Sequence, residues 1–282
     1  MKLCRYGKNG FEKPGIIDSE GRLRDLSKVV ENIGPKELAP RGLKMLAKVK
    51  PETLAVVANG PRLGVPFIGI GKFVAIGLNY SDHAKESGMP IPPEPIVFMK
   101  ATTSITGPND DIVQPKRSTK LDWEVELGIV IGSKAQYVDE KDALDCVAGY
   151  CVVNDVSERA FQFATGQWDK GKGFDTSGPI GPWLVTTEEI KDPQNLEMWL
   201  DVNGKRMQSG NTRTMIFNCA QIVSHVSQYM TLLPGDVITT GTPPGVGHGV
   251  KPIPVYLKPG DVMTLGIRGL GEQKQKVIAY AG

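Results

Sequence analysis

Glu124, Glu126 and Asp155 are the residues of this chain whose types and spacing best support chemistry. The first two lie in Leu121-Asp122-Trp123-Glu124-Val125-Glu126-Leu127-Gly128-Ile129-Val130-Ile131. That segment alternates and then turns wholly apolar, as a strand does when it runs from an open rim into a core. A period of two sets Glu124 and Glu126 on one face, opposite Val125 and Leu127. Asp155 ends a second apolar run, Tyr150-Cys151-Val152-Val153-Asn154-Asp155. Carboxylates gathered on core strands are costly unless a positive group neutralises them. A hard divalent cation with oxygen ligands does so, which points to a metal enzyme. The same spacing also fits a solvated strand face with Asp155 as a helix cap.

Gly77-Leu78-Asn79-Tyr80-Ser81-Asp82-His83-Ala84-Lys85-Glu86-Ser87-Gly88 follows the apolar run Phe73–Ile76. Ser81 or Asp82 is placed to cap a short helix, which sets His83 and Glu86 at i and i+3 on one face. A carboxylate beside an imidazole fixes its tautomer and raises its basicity, as a general base for water requires. An incidental surface pair has the same spacing. The Pro-rich stretch from Gly88 to Pro95 suits a lid hinge. Further on, Asp155 stands at a strand end and a helix N-cap, with Glu158 at the capping-box position and Arg159 and Gln162 toward one mouth. Lys172 lies in the glycine-broken loop Gln167–Asp175; a lysine held near a metal binds a substrate carboxylate or an oxyanion, although solvated lysines fit as well. The small residues of Thr239–Gly247 expose backbone N–H groups as a nest for an anion. That loop lacks a Gly-Lys-Ser/Thr ending and no helix follows it, so a dinucleotide fold is excluded. His225 reads as packing on an apolar helix face, and His248 as a solvated residue ending a glycine loop.

The elements that must position these groups are mostly strands. Residues 1–66 form a small α+β unit with short strands at Lys2–Tyr6 and Gly15–Ile17 and a helix over Lys36–Val49. Asn59–Pro66 is the linker candidate. Residues 67–282 carry strands at Phe73–Ile76, Ile96–Met99, Trp123–Ile131, Ala148–Val153 and Val237–Thr240, with others toward the C-terminus. Two Pro-Gly-Asp-Val turns, at 234–237 and 259–262, each feed a strand. Helices are expected at Ser157–Ala164 and Met215–Tyr229. Strands and helices do not alternate regularly, which favours a β-rich α+β roll or barrel over a doubly wound sheet. The net charge of +2, from 33 basic and 31 acidic residues, argues against a nucleic-acid binder. No signal-peptide pattern opens the chain and no apolar window spans a membrane. Four cysteines without a Cys-x-x-Cys pair fit a reduced, cytoplasmic setting.

Taken together, the ordered blocks Gly77–Glu86, Trp123–Gly128, Asn154–Gln162, Lys172 with its loop, and Thr240–Gly247 resemble the fumarylacetoacetate hydrolase family in its shorter acylpyruvase branch. The likeness covers roughly residues 70–280. It implies a mixed β-roll catalytic domain over 67–282, a homodimer, and bound Mg²⁺ or Mn²⁺. It also implies Glu124, Glu126 and Asp155 as metal ligands, His83 and Glu86 as a lid dyad, and Lys172 as the active-site lysine. Arg159, Gln162 and Thr242 match substrate-contact positions, and Asp122 stays outside the ligand set. Leu78 stands where acylpyruvases commonly carry Arg, which removes a cation for a second carboxylate. Gln167–Asp175 with Gly181–Val185 resembles relatives that hydrolyse diketo-deoxy sugar acids, and also proteins labelled ureidoglycolate lyase.

The reaction implied is hydrolysis of the C–C bond of a 2,4-dioxo acid, an acylpyruvate or a 2,4-diketo-3-deoxy sugar acid, to pyruvate and a carboxylic acid. A decarboxylase or tautomerase acting on a related oxo-acid through the same metal-stabilised enolate is the second enzyme reading. A metal-dependent binder of small dicarboxylates is the non-catalytic one. The pair His83 and Glu86 favours hydrolysis, because enolate chemistry alone needs no activated water.

Overall fold

The computed structural model describes residues 1–282, the side chain of Ser87 excepted. Both Pro-Gly-Asp-Val segments do the same local work. Gly235 and Gly260 take φ of 93° and 99°, the left-handed region where a residue without Cβ is unstrained. Asp236 and Asp261 close the turns by accepting the N–H of Leu233 and Lys258 at 2.7 and 2.9 Å. Each turn then releases an apolar run into a strand, Val237–Thr239 and Val262–Ile267.

Val237–Thr239 lies in a mixed eleven-stranded sheet, antiparallel to Val125–Ile131 and parallel to Phe73–Gly77. The sheet continues from Val125–Ile131 through Val147–Asn154 and Gly178–Thr186 to Lys2–Tyr6, and ends on the other side at Ile96–Lys100. Its central strands are apolar on both faces because both faces are covered. Val125, Leu127, Ile129 and Val152 join one core with the helix Cys219–Tyr229 and with Met198, Leu200 and Leu265 of a five-stranded sheet. Val130, Ala148, Cys151 and Val153 join a second core with Leu3, Ile16, Leu38 and Leu46. The result is a strand-rich α+β fold of mixed sheets, as the sequence leads one to expect. Residues 1–66 are tied in directly: Lys2 and Leu3 pair with Val185 and Leu184, and Leu63–Gly64 pairs back onto Arg5 and Tyr6. No helix among the described residues is long and apolar enough to cross a membrane.

Several elements differ from expectation, each for a local reason. The helix over Lys36–Val49 is two helices, Pro35–Leu38 and Pro40–Leu46. They break at Ala39, which is extended because a following proline disfavours the helical region. The helix expected from Met215 begins at Cys219, where Asn218 and Gln221 form a capping box. Ser157–Glu158 is a short strand against Leu121–Asp122, so the helix expected over Ser157–Ala164 shrinks to Arg159–Gln162. Its N-cap is Glu158, not Asp155; the Asp155 N–H donates instead to the Glu124 carbonyl at 2.9 Å. The strand expected from Trp123 begins at Val125, leaving Trp123 and Glu124 in a break after Leu121–Asp122. Lys205–Asn211 is a strand with no apolar alternation to announce it.

The sheet centre is packed backbone against backbone at Gly149, where an added Cβ would stand 2.2 Å from the Val185 carbonyl oxygen. Gly149→Ala should therefore lower stability by about 1–3 kcal/mol, the usual range for overpacking a filled core. Urea unfolding measures this, and an unchanged midpoint would show that the strand pair yields freely at that point.

Candidate active site

The break at Trp123 and Glu124 turns an apolar strand into the floor of a cavity. Glu126 stands on the strand Val125–Ile131 and Glu124 in the break before it. Asp155 follows the neighbouring strand Val147–Asn154. One carboxylate oxygen from each of the three lies within 4.8 Å of the others, roughly twice a metal–oxygen bond. All are buried: Glu124 is 6% exposed, Glu126 1% and Asp155 0%.

Cations hold two of these acids. Lys172, on the short helix Asp169–Lys172, places Nζ 2.7 Å from Glu124 Oε2 and 2.6 Å from Asp155 Oδ2. Lys100, ending the strand Ile96–Lys100, places Nζ 2.7 Å from Asp155 Oδ1 and also donates to the Lys172 carbonyl and to Ser177. Arg159 contacts Glu124 Oε1 at 2.6 Å and Asp122 Oδ2 at 2.8 Å, and donates to Gln162 Oε1 at 3.0 Å. Burial works against the Glu124 charge, but Lys172 and Arg159 outweigh it and hold the carboxyl well below its usual range. Burial likewise opposes the Lys172 charge, and Asp155 and Glu124 overcome it.

Glu126 is the exception. Burial, then the nearby Asp155 and Glu124, push its carboxyl well above the usual carboxylate range. Its Oε2 accepts only neutral donors, the Thr239 hydroxyl and the Gly241 N–H at 2.8 Å. Four buried acids (Asp122, Glu124, Glu126, Asp155) face three buried bases (Lys100, Arg159, Lys172), so the charges balance while Glu126 keeps its proton. An all-oxygen donor set whose third carboxyl can yield its proton to a bound cation fits a hard divalent ion.

The cavity above this floor has a volume of about 260 Å³. His83, Glu86, Glu124, Glu126, Arg159, Gln162, Lys172 and Thr242 line it, while Asp155 sits behind them, fully buried. His83 and Glu86 lie on the helix Ser81–Ser87, with His83 Nδ1 3.1 Å from Glu86 Oε2. The N-cap of that helix is Tyr80, and neither Ser81 nor Asp82 caps it. The bond to His83, against the opposing effect of burial, keeps the Glu86 carboxyl below its ordinary range. Thr242 is committed within the protein: its hydroxyl donates to the Val125 carbonyl at 2.9 Å and accepts from Gln208 Nε2 at 2.8 Å.

The glycine loop is an anion nest, but its anions are the protein's own. Gly241 N–H meets Glu126, Gly245 N–H meets Glu86 at 3.1 Å, and the N–H groups of Gly247 and His248 meet Asp122 at 2.7 and 2.9 Å. His225 packs edge-on against Tyr229, away from the cavity, whereas His248 lines it rather than lying in solvent. Sequence reasoning missed Lys100 and His248. The only signal for Lys100 is a charge ending an otherwise apolar strand.

Comparison with known proteins points to one family, in which both hydrolases and isomerases occur among the similar solved structures. The family model for the C-terminal part of fumarylacetoacetate (FAA) hydrolase matches residues 72–278. A Burkholderia orbicola (strain MC0-3) protein that carries only a provisional hydrolase name is 62% identical over 277 residues, covering 98% of each chain. Among solved structures, fumarylacetoacetate hydrolase from psychrophilic Exiguobacterium antarcticum is 36% identical with a TM-score of 0.90, covering 99% of this chain and 100% of that one. Maleylpyruvate hydrolase from Sphingobium sp. SYK-6, in complex with manganese(II) and pyruvate, is 28% identical with a TM-score of 0.82, covering 99% of both chains.

Removing one partner from a buried ion pair leaves an uncompensated charge. Lys100→Met should accordingly lower stability by about 3–5 kcal/mol in denaturant unfolding. A loss near zero would show that Lys172 alone satisfies Asp155.

Proposed function

The chain belongs to the fumarylacetoacetate hydrolase family, and we propose that it hydrolyses the C3–C4 bond of a 2,4-dioxo acid, yielding pyruvate and a carboxylic acid. The observation that carries this reading is a buried carboxylate triad at the floor of one small cavity whose wall carries a His–Glu pair. The triad alone would serve any enolate chemistry. The pair adds what hydrolysis needs, a base for water.

Glu124, Glu126 and Asp155 would hold Mg²⁺ or Mn²⁺, whose charge draws the 2-oxo-carboxylate end of the substrate and offsets the negative charge that grows on the departing pyruvate enolate. Lys172 adds a fixed cation on the same side, already oriented by Glu124 and Asp155. Arg159 keeps Glu124 in place, and Gln162, its Oε1 held by Arg159, has its amide N–H groups free for the substrate. His83 takes a proton from water through Nε2, because Nδ1 faces Glu86. The water oxygen bonds to C4, and the C3–C4 bond then breaks with its electron pair passing into the enolate of pyruvate. The proton held by His83 is available to return to C3. Glu86 stays anionic throughout and stabilises the imidazolium.

Two measurements test this reading. Activity should vanish on chelation and return with Mg²⁺ or Mn²⁺, and Glu126→Ala should abolish metal binding in calorimetry, since too few oxygens remain to replace the ion's hydration shell. Full turnover in a chelator would remove the metal from the reaction. His83→Ala should slow hydrolysis by roughly 10²–10⁴-fold while leaving metal affinity near wild type. Any decarboxylation or tautomerisation should survive that change better than hydrolysis does. Wild-type hydrolysis in His83→Ala would mean that water is activated elsewhere.

A further inference from the structure

Asn79 is fully buried and stands outside the cavity wall, between two residues that matter to it. Leu78, before it, lines the cavity with a left-handed φ of 50°. Tyr80, after it, is the N-cap of the helix that carries His83 and Glu86. A carboxamide offers two N–H donors and one acceptor oxygen, and Asn79 uses all of them. Nδ2 donates to the Thr240 carbonyl at 2.8 Å and to the Phe217 carbonyl at 3.1 Å. Oδ1 accepts the Phe217 N–H at 2.9 Å, and the Asn79 backbone carbonyl accepts the Ile216 N–H at 2.7 Å.

One of these bonds reaches the carboxylate floor. The carbonyl that Asn79 holds belongs to the Thr240–Gly241 peptide, whose N–H donates to Glu126 Oε2 at 2.8 Å. A peptide unit is planar, so fixing its carbonyl also aims its N–H. A bond accepted at one end further polarises the donor at the other. Packing leaves little play: a Cβ added at Gly241, where φ is 90°, would stand 3.0 Å from Asn79 Cβ. The other bonds hold the root of the helix. Besides the two to residues 216 and 217, Tyr80 bridges to Met215, and the Ser81 hydroxyl donates to the Thr214 carbonyl at 3.1 Å.

We propose that Asn79 is a positioning residue, which sets the distance between the His83–Glu86 pair and the carboxylate floor by clamping the root of their helix to the Thr240–Gly241 peptide. This rests on the hydrolase reading and deepens it. Attack by a base-activated water on a metal-held substrate needs both parts in register, and a misplacement of about 1 Å costs on the order of 10²-fold. Asn79 touches neither reactant, so its effect on turnover runs through His83, and its effect on the metal runs through Glu126.

The experiment is a double-mutant cycle of Asn79→Ala with His83→Ala, reading pyruvate release from 2,4-dioxopentanoate at saturating Mn²⁺, with Mn²⁺ affinity from calorimetry. Asn79→Ala alone should lower kcat by roughly 10–10²-fold with KM near wild type. In the His83→Ala background the same change should cost no more than about twofold, because groups acting through one another are not additive. Mn²⁺ affinity should weaken by about three- to tenfold in both backgrounds, the worth of one hydrogen bond that orients Glu126. Asn79→Ser, which keeps a hydroxyl, replaces the alanine variant if that one does not fold. Equal fractional losses in both backgrounds would mark general loosening and overturn the proposal. An unchanged kcat, or an unchanged Mn²⁺ affinity, in the single variant would overturn it too, with the hydrolase reading intact. If wild type releases no pyruvate, the hydrolase reading falls and this inference falls with it.

Discussion

Seven ionisable side chains are packed into a region almost closed to water, and the rest of the structure is arranged around keeping them apart by the right distances. In such surroundings a charge pair is worth having only when the geometry is good and every remaining lone pair is satisfied. Glu126, which has no cation of its own, stands outside that condition; the other six meet it by drawing on separate parts of the chain: Lys100 from one strand, Asp122 and Glu124 from another region, Asp155 and Arg159 from a third, and Lys172 from a short helix. The sheet order that brings Phe73–Gly77, Val125–Ile131 and Val147–Asn154 into one sheet is thus also what makes the charges meet. Polar and apolar interiors are built together here. Val125 and Leu127 face a hydrocarbon core while Glu126, between them, faces the cavity.

Much of this could be read in the sequence because strand alternation is a local signal. Acids at 122, 124 and 126 interleaved with apolar residues announce a strand with one polar face, and that reading survives although the regular ladder starts only at Val125. The His83-x-x-Glu86 spacing was equally visible. What was not visible depends on distant partners. A lysine after Ile96–Met99 looks like a surface residue until Asp155, Ser177 and the Lys172 carbonyl are seen to surround it. His248 looked solvated because neither Phe163 nor Tyr256 could be placed against it. Helix ends failed where a tertiary demand overrode propensity, as at Ser157–Glu158, which is taken into a strand pair.

The loop Thr239–Gly249 shows why a motif can be recognised correctly and its purpose misjudged. Its exposed amides suit an anion, and a bound ligand is the natural first thought. They bind Glu126, Glu86 and Asp122 instead, so the loop orients carboxylates in and behind the cavity wall. Gln208 completes the arrangement by bridging Val125 N–H and the Thr242 hydroxyl, which fixes the loop against the strand beneath it.

Glu86 receives the Gly245 amide and meets the His83 ring with the same carboxylate. His83 and Glu86 ride on the same helix, Ser81–Ser87, so the pair moves as one body and the imidazole keeps its carboxylate partner wherever the helix sits. What the Gly245 amide adds is position: it pins that body over the cavity, so that one side chain both orients the ring and anchors the helix that carries it.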